Sequence, residues 1–231
     1  MIPQVSPWIE KEEVDAVSNV LSSGWITEGT VSIEFRDRLL ELIGSRYGVF
    51  APNGTLALAL GLMALGIGSG DEVIVPNSTF IGSANAVLLA GARPRFVDIE
   101  PEFCQMNPDL VVQAITSHTK AIMPVHLFGI ACNITKILEI AKEYKLCVIE
   151  DAAQGIGVFH EQQHVGSFGD VGCFSFFADK TITTGEGGFV VTNDRAIYER
   201  LLELRNHGRA TSGSFVHPAI GFNLRITDMQ A

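Results

Sequence analysis

Along the first fifty residues, apolar positions recur at helical spacing. Val14, Val17 and Leu21 form one stripe, with Ser6-Pro7 ahead of it as an N-cap and first-turn proline, and Gly24 behind it as a stop. The pattern predicts a helix with that stripe buried. A second stripe, Phe35, Leu39 and Leu42, leads into the short apolar run Tyr47 to Ala51. Pro52-Asn53-Gly54-Thr55 then turns the chain into a nearly apolar stretch from Leu56 to Gly68, which reads as a buried helix. The local order is strand, tight turn, helix.

From there, β-rich runs alternate with helix-length segments. The runs are EVIVP (72–76), PRFVDI (94–99), AIMPV (121–125), LCVIED (146–151), GCFSFF (172–177) and GFVVT (188–192). One helix is expected over 134–144, with Ile137, Ile140 and Ala141 on one face, and another from about 196 to 206. Continuous apolar strands need cover on both faces, so the chain reads as one α/β domain, a mostly parallel sheet with helices on both sides. Residues 221–231 end on what reads as the start of another helix. The expectation is a large domain spanning 1–231, with a smaller carboxyl-terminal domain missing.

Charge and composition narrow the function classes. The 231 residues include 26 acidic side chains and 16 Lys or Arg, a formal net charge of −10. That balance argues against a nucleic-acid surface, which works by neutralising phosphates. The longest weakly polar run, 56–68, falls short of the roughly 20 residues of a membrane span. The opening MIPQVSPWIEKEE has no basic-then-apolar leader, so a cytoplasmic location is expected. Cys104, Cys132, Cys147 and Cys173 lack CxxC spacing and are expected as free thiols.

In open α/β sheets, ligands collect at the carboxyl ends of the strands. After the first run, Asn53-Gly54-Thr55 opens a helix whose free N–H groups and positive dipole end suit a phosphate; an ordinary helix cap is the alternative. Asp151 ends an apolar strand, where an unpaired charge is costly, so it must meet a cation or cap a helix. Ser175 lies inside GCFSFF, and Lys180 precedes the polar, glycine-rich TITTGEGG. Together these features match the needs of a pyridoxal phosphate site: an anion cradle, an acid that keeps the pyridine nitrogen protonated, and an amine for a Schiff base.

PNGTLAL (52–58), GDEVIVPNSTF (70–80), IEDAAQ (149–154), GDVGCFSFFADKTITTGEGG (169–188) and GFNLRITDMQA (221–231) resemble the sugar aminotransferases of the DegT/DnrJ/EryC1/StrS family, within the fold type I pyridoxal phosphate enzymes. PVHLFG (124–129) and SANAV (83–87) look most like the branch that acts on a nucleotide-linked 4-keto-6-deoxy sugar. The resemblance implies a pyridoxal 5′-phosphate-dependent aminotransferase that takes its amino group from glutamate and serves amino-sugar and polysaccharide synthesis, as for lipopolysaccharide O-antigen. By position it implies Lys180 as the Schiff-base lysine and proton carrier, and Asp151 as partner of the pyridine nitrogen. Gln154 would bond the ring hydroxyl, Phe80 would stack on the ring where the family often has Trp or Tyr, and Gly54, Thr55 and Ser175 would hold the phosphate. Asn223 would reach the phosphate of a neighbouring subunit, implying a homodimer with shared sites. A dehydratase subgroup carries His at the Lys180 position, so Lys180 speaks for transamination. The competing reading is a catalytically silent chain that only binds a partner protomer or cofactor.

Three other motifs carry less. HEQQH (160–164) spells a zinc protease signature, but Gly155, Gly157, Gly166 and Gly169 crowd it, so a polar hairpin tip without metal is expected. GIGSG (66–70) follows a helix instead of a strand, unlike a dinucleotide fingerprint, and GSFG (166–169) has Val165 where a nucleophile elbow needs glycine. His126 in PVHLFG and Glu186 in TTGEGG each read equally well as pocket or structural residues and stay outside the site.

Overall fold

The computed structural model describes residues 5–209, 213 and 215–231; residues 1–4, part of the stretch read as lacking a leader, lie outside them. The apolar runs form β1 (Tyr47–Ala51), β2 (Glu72–Pro76), β3 (Arg93–Val97), β4 (Thr119–Ile122), β5 (Cys147–Asp151), β8 (Val171–Ser175) and β9 (Gly188–Thr192). The short strands β6 (Phe159–His160) and β7 (Gln163–His164) make a separate hairpin. The seven-stranded sheet runs β1-β9-β8-β5-β4-β2-β3, and β9 is antiparallel to both neighbours while the remaining pairs are parallel. Pro94 sits in β3 at the sheet edge, the place where a missing N–H costs least.

The described residues form seven α-helices, α1 (Lys11–Ser23), α2 (Thr30–Ile43), α3 (Gly54–Ala64), α4 (Gly82–Leu89), α5 (Pro108–Ala114), α6 (Ile134–Tyr144) and α7 (Arg195–Leu204), of which α2 to α7 pack on the sheet. Side chains alternate along each strand, so one face of the sheet buries Ala51, Ile149 and Cys173 with α3, α4 and α7. The other face buries Val148 and Ile122 against α5 and α6, and Phe50, Phe174 and Phe189 against α2. Contact under α3 is close. A Cβ on Gly61 would stand 2.9 Å from both Ile149 and Val171, so the helix needs glycine there to lie on β5 and β8. No helix among the described residues is long and apolar enough to cross a membrane.

The amino-terminal helix departs from expectation in two ways. It begins at Lys11, not after Ser6-Pro7, because the Glu13 carboxylate accepts the Glu10 N–H and fixes the start there. Its stripe is not buried: Val14, Val17 and Leu21 are 57%, 41% and 55% exposed, and Val20 is the residue of α1 that goes inside. Val14 and Val17 line a wide apolar groove of about 1300 Å³ with Trp25, Ile33 and Met229. On α2, Leu39 and Ile43 bury while Leu42 stays exposed.

The last described residues are tied back by one carboxylate. Asp228 accepts from the N–H groups of Gly29, Val31 and Ser32 and from the Ser32 hydroxyl, capping α2 across a sequence gap of 196 residues to Ser32. Burial alone would raise its proton affinity, but the Ser32 hydroxyl and the backbone N–H groups outweigh it and hold the acid below its ordinary value. After it, Ala231 N–H bonds Thr227 O, a single helical turn.

Candidate active site

Asp151 ends β5, Ser175 ends β8, and Gly54 follows β1, so all three stand at the carboxyl edge of strands that point one way. Asp151 and Ser175 also lie on the sheet face covered by α3, because they share the parity of Ile149 and Cys173. Between them opens a cavity of about 530 Å³, lined by Gly54, Thr55, Phe80, Ser83, Asp151, Gln154, Ser175, Lys180 and Glu186, among others. Every expected site residue except Asn223 is therefore in one place. The larger groove at α1 has acids and hydroxyls in its described lining but no lysine or arginine to set against them.

The amino end of α3 forms one wall. Asn53 caps the helix by accepting the Leu56 N–H, which leaves the Gly54 and Thr55 N–H groups at the positive end of the dipole. A Cβ on Gly54 would lie 2.8 Å from Ser175 Cβ, and one on Gly188 would lie 2.3 Å from Asn53 O. The turn and the strand ends therefore approach as closely as glycine permits, giving a tight, backbone-lined cradle.

Asp151 is buried, 5% exposed. Its Oδ2 accepts from Ser83 Oγ at 2.7 Å and its Oδ1 from Ala153 N–H at 3.1 Å. Burial raises its proton affinity above the usual value; the bonds from Ser83 and Ala153, then His126 and Lys180, work the other way without cancelling it. Among the described residues no cation forms an ion pair with it.

Lys180 lies in the loop after β8 with its Nζ 2.9 Å from Asp179 Oδ1. The Phe128 N–H donates to Gln154 Oε1 at 2.6 Å, and Phe128 holds a left-handed backbone, φ 58°, to do so. That bond fixes the amide orientation and leaves the Gln154 Nε2 as the donor end. Phe80 is 75% exposed at the cavity wall, a ring with a free face. Asn223 lies elsewhere: it is exposed, with Oδ1 accepting from Arg225.

His126 is fully buried outside the cavity lining. Its Nε2 is 2.9 Å from Glu150 Oε2, and Cys132 N–H donates to its Nδ1. Glu186 lines the cavity, and its carbonyl accepts from Thr184 and Gln230. HEQQH is a hairpin with Glu161 and Gln162 at its tip, both with positive φ. His160 bonds Thr135, and His164 accepts the Gly157 N–H. Among the described residues no group of three His, Cys, Asp or Glu side chains could hold a metal ion.

The profile of the DegT/DnrJ/EryC1/StrS aminotransferase family matches residues 7–231. GDP-perosamine synthase of Escherichia coli O157:H7 is 45% identical over 231 residues, 100% of this chain and 64% of that protein. UDP-N-acetyl-3-dehydro-alpha-D-glucosamine 3-aminotransferase of Acidithiobacillus ferrooxidans is 43% identical over 224 residues, 96% of this chain and 60% of that protein. The solved PLP form of a putative sugar aminotransferase from Streptococcus pneumoniae superposes with a TM-score of 0.93 at 32% identity, covering 99% of this chain and 64% of that one. The chain thus spans a little under two thirds of the length of these relatives. With its profile match, its sheet order and its neighbours in agreement, the chain belongs to the DegT/DnrJ/EryC1/StrS aminotransferase family.

Proposed function

We propose that this chain is the large, cofactor-binding domain of a pyridoxal 5′-phosphate-dependent aminotransferase. It moves an amino group from glutamate to the keto carbon of a nucleotide-linked deoxysugar, in the manner of a perosamine synthase, in the cytoplasm and for polysaccharide building. The observation that carries this reading is the meeting of a buried acid, a lysine and a glycine-lined helix end in one cavity of about 530 Å³.

The residues fit the cofactor. Asp151, buried and without an ion-pair partner among the described residues, would accept from a protonated ring nitrogen. The Gly54 and Thr55 N–H groups and the Ser175 hydroxyl hold a phosphate at the dipole end of α3. The Gln154 Nε2, with its Oε1 already engaged by Phe128, donates to the ring oxygen. Phe80 offers its free face to the ring.

When bound, the cofactor supplies an electron-withdrawing ring that stabilises negative charge at the substrate carbon. Asp151 keeps a proton on the ring nitrogen and so maintains that pull. Lys180 Nζ anchors the cofactor and carries the proton to and from the substrate carbon, with Asp179 as its counter-ion. The exposed Phe80 and Leu89 at the site, with Ile81 next to them, and Asn223 placed away from it, favour a homodimer in which each Asn223 serves its partner's phosphate.

The test follows the bound cofactor's absorbance in the whole protein. Glutamate converts the aldehyde form to the amine form, and a GDP-linked 4-keto-6-deoxy sugar restores it. Conversion by a different amino donor alone, or restoration by a UDP-linked 3-keto sugar but not the GDP-linked one, overturns the corresponding half of the reading.

A further inference from the structure

Ser83 stands in the first turn of α4, 1% exposed. Its Oγ lies 2.7 Å from Asp151 Oδ2, 3.2 Å from Thr79 Oγ1 and 3.3 Å from the Phe80 carbonyl. A hydroxyl has one proton to give and two lone pairs to receive, so it cannot serve Asp151 and the Phe80 carbonyl at once. Facing a charged carboxylate, it donates to Oδ2 and accepts from Thr79. Facing a protonated one, it accepts a hydrogen bond from the acid's O–H and turns its own proton toward the Phe80 carbonyl.

We propose that Ser83 is a positioning residue: its hydroxyl, backed by Thr79, orients the Asp151 carboxylate and favours the charged form that can hold a protonated ring nitrogen. The inference rests on the reading of Asp151 as that partner. Two bonds on two different oxygens, Ser83 on Oδ2 and Ala153 N–H on Oδ1, fix the plane of the carboxylate and leave its remaining lone pairs for a ring nitrogen. The other groups that act on Asp151 through their charge or proximity are Lys180 from the loop after β8, Cys173 on β8 and, from the far side of the sheet where it bonds Glu150, His126 in the loop after β4. Lys180 is already matched by Asp179, and burial pushes the Cys173 thiol well up, with Asp151 and Glu150 adding to the shift, so it carries no charge. Among the described side chains, Ser83 is the one with a hydrogen bond to the Asp151 carboxylate.

The test is a carboxyl ¹³C titration of Asp151 in the cofactor-free protein, its signal assigned by loss in Asp151→Asn. Ser83→Ala raises the midpoint by about one pH unit, a tenfold change in proton affinity. Ser83→Cys, which nearly keeps the volume and weakens the donor, gives a smaller rise and covers the case in which the alanine variant does not fold. An unmoved midpoint in the folded variants overturns the inference. Because no cofactor is present, a wild-type protein that fails to bind pyridoxal phosphate strikes the functional reading and leaves this measurement standing. Normal cofactor binding with an unmoved midpoint strikes Ser83 alone.

Discussion

Glu150 and Asp151 are adjacent on β5 and serve opposite faces of the sheet. Asp151 faces the cavity beneath α3, while Glu150 is fully buried on the other side. There its two oxygens accept from the N–H groups of Gly166, Phe168 and Gly169, and Oε2 also meets His126. One acid is saturated with partners, and the other retains capacity for a ligand. The strand's period of two turns a pair of neighbouring carboxylates into one structural group and one site group.

Glu150→Ala is therefore expected to be severe. It leaves three N–H groups and His126 without their acceptor, and breaking such a buried arrangement costs about 3–5 kcal/mol. Denaturant unfolding checks this, and an unfolding midpoint equal to that of wild type contradicts it.

Asp151→Asn behaves in the opposite sense in the cofactor-free protein. Burial raises the acid's proton affinity on folding, so its contribution is fully present below the unfolded value of about 3.9 and is lost as pH rises through the raised folded value. Asparagine has no such dependence. The stability of the variant relative to wild type should grow from about pH 4 upward and then level off, read by thermal unfolding across pH. A flat difference from about pH 4 to 8 contradicts the burial argument. In the loaded whole protein, the same substitution lowers turnover on the order of 100-fold, ~3 kcal/mol in the barrier.

Much of this arrangement is legible in the sequence, for a local reason. An apolar run ending in Asp151, another that contains Ser175, and a turn that contains Gly54 mark strands and a helix start without knowledge of the rest of the chain. Ser83 is silent in the same reading, since its partner lies 68 residues away and α4 places it there only after folding. The Asp228 cap on α2 and the Phe128 bond that orients Gln154 are hidden for the same reason. The stripe Val14, Val17 and Leu21 shows a different limit. Periodicity reports that a helix has an apolar face but not what covers it, and no described residue covers this one fully.

Asn223 tests the shared site. In the whole protein, Asn223→Ala should weaken cofactor affinity, and mixing it with Lys180→Ala should form heterodimers with one site carrying both defects and one carrying neither. Recovered activity in the mixture supports a site built from two chains. A fully active monomer in sedimentation contradicts it.

The most direct test of the central claim is where the cofactor is bound. Pyridoxal phosphate added to the protein and fixed by borohydride should place its mass, after peptide mapping, on Lys180. Label on Lys120 or Lys136 with Lys180 unmodified contradicts the account.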